Sequence, residues 1–575
     1  MSIKLLVLSL CIIVFVPANA YEVPTEIQKK NVLLEVFTGI HCGNCPDGDV
    51  YTDNLLTVQP EHIFAIDIHS GHYAVPNAGQ PDYRIDEGEA IDLEMGANNY
   101  GYPGAAINRR HFPEETLLVL GRGVWMKKSK SIYAEDAPVN LHVSSVFDGT
   151  TRELRVTVEG YYTQQVEQNE NFLNVALIQD NIYGYQSGAT DRDNYNHRHA
   201  LRAYLTPLWG DTLFVPKQGE YFSREYTYTV PQAIKDIPVK AEDLEIIAFV
   251  SAGKREVLNV TGKKPEYIHY NKPLAATLQS PKPAIAVRYG YNFFDVRLKN
   301  ESDQTITSAA FKVTVNGNEQ TVNWLGEINS FHTLPLRLTV EPYSILAGDN
   351  EYKIQLSALN GVTVNGNSLQ GSFKAPTEAT PQIQVQIKTD LYADENTFVI
   401  RDRDGKVVHT LGPYSPGVVA TYNETVDLKP SEIYCFEITD SCGDGILSPQ
   451  GLYKLYKDNH TMFAQNYEVK VFGDRLFFQT TLPPNTTALS PVEQPATKVT
   501  VNSNQKTLEV VFRAEPNGQA GINLYSIDGK CLWVRQFSTT EGISTATFPL
   551  AGLPSGIYLL TIRQKEKKEI IKLKI

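Results

Sequence analysis

At 575 residues, against about 100–200 for one domain, the chain is long enough for roughly four or five units. Its formal charge of −13 argues against nucleic acid or an anionic lipid surface as a partner, since both repel a negative protein. Tyrosine (31) and phenylalanine (23) far outnumber methionine (4), a bias that suits pleated strands, where aromatic side chains pack well.

The first twenty residues read as a secretory signal. Lys4 gives a positive start, Leu5 to Val16 is an apolar run broken only by Ser9, and Ala18-Asn19-Ala20 is a small-x-small cleavage site. Cys11 follows Leu10 where a lipoprotein signal wants a small residue, so lipidation is not expected. No later stretch approaches the ~18–20 apolar residues of a membrane helix, and no transmembrane segment is expected. The reading is an exported protein, and an oxidising compartment lets close cysteines pair. Removing the signal leaves Cys42 and Cys45, Cys435 and Cys442, and a single Cys531.

From Asn31 onward the pattern is mixed. Val32 to Thr38 and His62 to His69 are strand-like apolar runs, and Pro46 to Val58 between them predicts a helix. Gly101-Tyr102-Pro103-Gly104 reads as a tight turn entering another strand, and strand–helix–strand order predicts a small α/β domain. The Cys42-Gly43-Asn44-Cys45 run sits where that helix begins. A cysteine there faces unpaired amides and the positive end of the helix dipole, which stabilise its thiolate. The spacing therefore suits thiol–disulfide exchange, and it suits a static structural disulfide equally. Zinc on Cys42, Cys45, His69 and His72 is disfavoured by the long gap from Cys45 to His69.

This layout resembles the thioredoxin superfamily. The resemblance implies Cys42 as nucleophile, Cys45 as resolving thiol, Pro103 as the proline lining the substrate groove, and Glu35 as the buried acid of proton transfer, one residue out of its usual spacing. His41, Asn44 and Pro46 depart from the common pattern, and a protonated His41 would favour the Cys42 thiolate. A closer similarity covers roughly Asn31 to Ala252. Leu33-Leu-Glu-Val-Phe-Thr-Gly39, Cys42-x-x-Cys45-Pro46, Ile68-His-Ser-Gly71, Gly101-Tyr-Pro103, Ile107-Asn-Arg109 and Asn196-His-Arg-His-Ala-Leu-Arg202 together resemble the Omp28-type outer-membrane proteins of Bacteroidetes. That resemblance implies a surface or outer-membrane location and, for some members, adhesion.

Beyond Pro138 the texture is alternation. Asn140 to Val146, Leu154 to Glu159 and Tyr226 to Val230 are period-2 strands, and Pro281 to Ala375 repeats the style with an Asn316-Gly317 hairpin signal. A further β unit runs from about Pro381 to Leu482. Its Asp440-Ser-Cys-Gly-Asp444-Gly-Ile run resembles a motif of β-sandwich modules in secreted Bacteroidetes proteins. Asp440 and Asp444 could supply oxygens to calcium, although a turn held by Asx bonds, with Cys435–Cys442 as a clamp, explains the same residues. After the Pro/Thr/Ser-rich 483–495 stretch, three blocks at Ile522–Lys530, Leu553–Tyr558 and Lys568–Leu573 resemble the C-terminal sorting domain of type IX secretion cargo, which implies the type IX machinery as a partner.

The expected organisation is a signal peptide (1–20), a thioredoxin-like α/β domain (21–135), an Omp28-type β domain (136–270), an Ig-like β domain (271–378), a β-sandwich module (379–485), a linker (486–496) and a sorting domain (497–575). Such a protein is expected at the cell surface or outside the cell. Two functions follow: a surface binding or adhesion protein for host or matrix ligands, or an extracytoplasmic thiol–disulfide oxidoreductase using Cys42 and Cys45 without a cofactor.

Overall fold

The computed structural model describes residues 22–59, 61–166, 170–214, 217–280, 293–341, 343–403, 405–440, 446, 451–457, 461–466, 473–481, 497–502, 507–514, 518–527, 529–539, 542–550, 553–564 and 567–575. The expected signal peptide and linker, and the 441–445 part of the aspartate-glycine motif, lie outside them.

The chain begins with β1 (Val32–Thr38), buried at every position because the sheet is covered on both faces. Val32, Leu34 and Val36 point to one face, Leu33 and Phe37 to the other. Next comes α1 (Cys45–Val58), opened by a proline in its first turn, where the missing N–H costs no helical bond. Strand β2 (Ile63–His69) then runs parallel to β1, in register from Val32↔Ile63 to Thr38↔His69. Helix α2 (Asp86–Met95) carries three acidic residues in its first turn and stops at Gly96, whose φ of +73° ends it with a left-handed cap. Strands β3 (Gly104–Ile107) and β4 (Val119–Leu120) add antiparallel to the other side of β1, and α3 (Trp125–Tyr133) closes the unit. Sheet order β2-β1-β3-β4, with α1 and α3 on one face and α2 on the other, is a minimal thioredoxin-like fold.

The sheet continues past β2. Strands β5 (Val139–Asp148) and β6 (Glu153–Tyr162) belong to a second sheet, but β7 (Glu170–Gln179) lies in the first. A hairpin of β8 (Ile182–Gly184) and β9 (Tyr195–His197) leads to β10 (Ala200–Tyr204), which joins β2 through a parallel Ala200↔Asp67 pair. Short β11 (Asp211–Phe214) pairs with β7, and β12 (Tyr221–Thr229) pairs with β6. A second small hairpin, β13 (Ala233–Ile234) and β14 (Ile237–Pro238), precedes β15 (Leu244–Ala252) and β16 (Arg255–Lys263), which complete the first sheet. Along β7 and β15 the side chains alternate between two cores. Leu173, Val175, Leu177, Ile246 and Ala248 face β5 and β6, while Ala176, Ile178, Ile247 and Phe249 join Leu33, Phe37 and Ile68 under α2. One sheet therefore serves both the thioredoxin-like part and the sandwich that follows it.

Downstream the chain is all sandwich. Residues 276–374 close around Phe294, Phe311 and Trp324, and residues 377–480 around Phe398, Phe436 and Phe478. The C-terminal strands close around Val510, Ile522 and Leu560. Strand Asn318–Ile328 pairs in parallel with Gly542–Pro549, and Leu325 enters the C-terminal core. The protein is thus a thioredoxin-like α/β unit followed by several β sandwiches. Among the described residues no helix is long and apolar enough to cross a membrane.

Candidate functional site

The turn after β1 sets the cysteines. A Cβ on Gly39 would come within 2.5 Å of the Tyr73 backbone, so only glycine lets the chain pass there. The Cys42 N–H then donates to the Gly39 carbonyl at 2.9 Å, and the Cys45 N–H to the Cys42 carbonyl at 3.3 Å. This winding brings the two Cα atoms to 5.4 Å, and Cys42 and Cys45 form a disulfide. Pro103 follows a cis peptide bond and rests on the first turn of α1. A Cβ on Gly48 would lie 2.7 Å from the Pro103 Cβ, so glycine at 48 makes room for the ring. The structure brings Cys42, Cys45 and Pro103 to the same end of α1.

The disulfide is covered. Cys42 is 2% exposed and Cys45 1%. The segment after β8, about 140 residues downstream, packs on the backbone of this turn. Gln186 donates its amide to the carbonyls of Cys42 (2.9 Å) and Gly39 (3.2 Å), and the Ser187 N–H donates to Ile40 at 2.7 Å. The Tyr185 ring lies tilted beside His41, with ring centroids 5.5 Å apart. No sequence pattern announced Gln186, Ser187 and Gly188 as neighbours of the cysteines; Gly188 carries only the ordinary signal of a turn.

Glu35 stands elsewhere. It shares the face of Leu33 and Phe37, whereas α1 packs over Val32, Leu34 and Val36, so the sheet separates it from Cys45. Its carboxylate takes a bidentate pair from Arg109, at 2.8 Å from Nε and 2.6 Å from Nη2, with both side chains fully buried. The guanidinium also lies 4.9 Å from the Phe249 ring centre. Burial opposes the Arg109 charge, and Glu35 more than restores it, raising its pKa. The Ile107-Asn108-Arg109 run is therefore a support of the shared sheet, and Asn108 adds to it by accepting the Leu33 N–H at 2.7 Å.

The buried acid on the α1 face is Asp67. It is 4% exposed, and its carboxyl is held well above the usual range, by burial first and by Asp49 next. Asp49 accepts the Tyr195 hydroxyl at 2.5 Å, and Arg198 pairs with Asp53 on the same helix. His199 sits 3.3 Å from Asp180 through Nδ1. The histidine–arginine motif of the sequence thus locks α1 onto the following β strands. An open groove lined by Tyr51, Tyr100, Leu117 and Arg122 borders α1, with Arg122 paired to Asp47 at 2.5 Å.

Far from this site, Asp440 ends a strand in the 377–480 sandwich and is 3% exposed, while Asp444 and Cys442 fall outside the described residues. The structure does not bring Asp440 near the cysteines. Cys435 is buried in that strand, and Cys531 is exposed in the C-terminal unit.

Comparison with known proteins finds one family match, in the N-terminal half of the chain. Residues 92–267 match the model of the family described as outer membrane protein Omp28. Among solved structures, HBP35 of Porphyromonas gingivalis is 16% identical, with 60% of this chain and 99% of that one covered and a TM-score of 0.33. A domain of the outer membrane lipoprotein Omp28 from Porphyromonas gingivalis is 22% identical, covering 23% of this chain and 90% of that one, with a TM-score of 0.17. No curated protein matches the chain.

Proposed function

From the Omp28-family match of residues 92–267, we propose that this chain is a cell-surface binding or adhesion protein whose thioredoxin-like head is a closed, disulfide-stapled platform. The family match supports a surface or outer-membrane location. The observation that carries the reading is the roof over the cysteines. Thiol–disulfide exchange needs an incoming sulfur to reach a disulfide sulfur, and both cysteines are buried, with Gln186 and Gly188 packed on the backbone of their turn. The sandwiches that make up the rest of the chain supply surface rather than chemistry, and host or matrix molecules are the ligands such a surface suits. Passage through the type IX machinery, directed by residues 497–575, is the export route that the sequence favours.

One arrangement favours a second reading. Cys45 heads α1 and Pro103 rests against its first turn, so lifting the roof would leave Cys42 as nucleophile and Cys45 as resolving thiol of an oxidoreductase. Two assays on the mature chain separate the readings: capture by immobilised extracellular-matrix glycoproteins, and reduction of insulin by dithiothreitol. The binding reading expects capture that Cys42→Ser leaves unchanged, and insulin reduction no faster than with dithiothreitol alone. Insulin turnover that depends on Cys42 would replace it with the oxidoreductase.

A further inference from the structure

Behind the roof, at the seam between the thioredoxin-like strands and the β10 region, four buried polar side chains gather with several of their hydrogen-bonding groups unmet among the described residues. His69 ends β2, Tyr83 precedes α2, His197 lies in β9 and Arg202 in β10. Their relative exposures run only from 2% to 4%. The three rings form a triangle, with centroids 5.0 Å apart for His69–Tyr83, 5.3 Å for His69–His197 and 4.5 Å for Tyr83–His197. Tyr83 shares an apolar cluster with Ile237, and Arg202 reaches the same place, with Nη2 3.4 Å from the carbonyls of Ile234 and Ile237. Among the described residues, the Arg202 Nε, the Tyr83 hydroxyl and both ring nitrogens of His69 have no hydrogen-bond partner.

Arg202 also makes no ion pair among the described residues. The acidic side chain nearest in sequence to Tyr83 is committed elsewhere: Asp82 binds Arg84 at 2.9 and 3.0 Å and Lys235 at 3.2 Å. A buried guanidinium without a counter-ion is strongly disfavoured, and so is each unmet buried donor.

We propose that this cluster is a binding site for one small monovalent anion of halide size, held by the Arg202 Nε–H, the Tyr83 hydroxyl and a ring N–H of His69. The protonation states suit that ligand at neutral pH. Burial lowers the Arg202 pKa only to about 10, so it keeps its charge. Burial raises Tyr83 to about 12, so it keeps the hydroxyl proton as a donor. Burial lowers His69 well below its usual value, leaving a neutral ring with one N–H to give. His197 is neutral too, and it bonds the Tyr185 carbonyl through Nε2 at 3.2 Å, which ties the cluster to the roof segment. A divalent oxyanion would bring more negative charge than the single cation balances. An anion here would brace the β9–β10 segment against β2.

The test uses bromide, on the full mature chain. Crystals soaked in sodium bromide are measured at the bromine absorption edge, and thermal unfolding is followed in sodium bromide against sodium gluconate at equal ionic strength. The proposal expects an anomalous peak within hydrogen-bond reach of Arg202 and Tyr83. It also expects a bromide-specific rise in Tm, roughly 5 °C or more at a hundredfold excess over Kd. Arg202→Gln should abolish both signals, and Tyr83→Phe, which keeps the packing, should weaken them. No peak, with equal Tm in the two salts, would mean that ordered water fills the site and would overturn the proposal. A peak with no effect on Tm would mean binding at crystal concentration only, and would overturn it as well.

Discussion

Gly188 stands directly against Gly43 across the disulfide loop: with φ at +81°, a Cβ added to Gly188 would lie 2.0 Å from the Gly43 carbonyl oxygen. That contact cannot absorb a methyl group. Gly188→Ala is expected to lift residues 186–188 away from the cysteines, combining the clash with a backbone conformation that alanine resists. Each 1.4 kcal/mol of lost cover raises the open fraction about tenfold, so reduction by tris(carboxyethyl)phosphine should accelerate by about tenfold or more. Alkylation after timed quenching, read by mass, measures the rate. An unchanged rate would show that the cover does not limit access. Gln186→Ala, which loses the donor to Cys42 and Gly39, should give a smaller acceleration in the same direction.

Glu35 and Arg109 form a fully buried bidentate pair, and removing one partner strands the other. Glu35→Ala should destabilise the sheet by about 3–5 kcal/mol, because the guanidinium is left without its counter-ion. Replacing both residues with apolar ones of similar size, Glu35→Leu with Arg109→Met, should recover much of that loss. Urea denaturation followed by tryptophan fluorescence measures it, since Trp209 lies 5.6 Å from the Arg109 guanidinium. Equal destabilisation in the single and double variants would show that the pair contributes by shape and not by charge.

The contrast between Cys45 and Glu35 shows what was legible in the sequence. Strand β1, helix α1 and strand β2 were readable because apolar runs and a helix-opening proline are local signals. The hairpin at Asn316-Gly317 was readable for the same reason: both residues take positive φ (+49° and +82°) between two antiparallel strands. The side occupied by Glu35 was not readable. In a strand buried on both faces, alternation says that Glu35 opposes Leu34 and Val36 but not which face α1 will cover. The roof was hidden for a different reason, since it arises from a contact between residues more than 140 positions apart. The continuation of the sheet from β2 into β10 was equally silent, resting on a single pair, Ala200↔Asp67.

His197 gives the head a defined response to acid. Burial lowers its pKa to about 4, against about 6.5 in an unfolded chain. Between those values the unfolded state binds the additional proton, so stability rises with pH across the window and is lost as pH falls from 6.5 through 4. The loss is about 3 kcal/mol for this residue alone, and His69 shifts in the same direction. Urea unfolding at pH 7, 5.5 and 4.5 should therefore show a steep decline. His197→Gln should flatten part of it. Parallel slopes for the two proteins would place the acid sensitivity elsewhere.

Leu325 leaves the sandwich it belongs to and packs in the core of the C-terminal unit, where it is 3% exposed. Beside it, Val322 to Leu325 pair in parallel with Ile543 to Ala546. Four paired residues form a short seam, and the side chains of Asn323, Ser544 and Thr545 are buried there with polar atoms that find no partner among the described residues. Backbone pairing is thus brief and the polar contacts are poor, so the buried leucine holds a large share of the docking. Leu325→Asp places a charge in that core and should release the C-terminal unit while the 276–374 sandwich keeps Trp324 and its neighbours packed on the opposite face. Limited proteolysis should then cut faster within 483–496, and small-angle scattering should report a larger radius of gyration. Leu325→Ala, which removes packing without adding charge, should cost about 2–5 kcal/mol of docking and fall between wild type and Leu325→Asp in both measurements. If all three proteins are cut at the same rate and scatter alike, the seam is held by its strand pairing and not by Leu325.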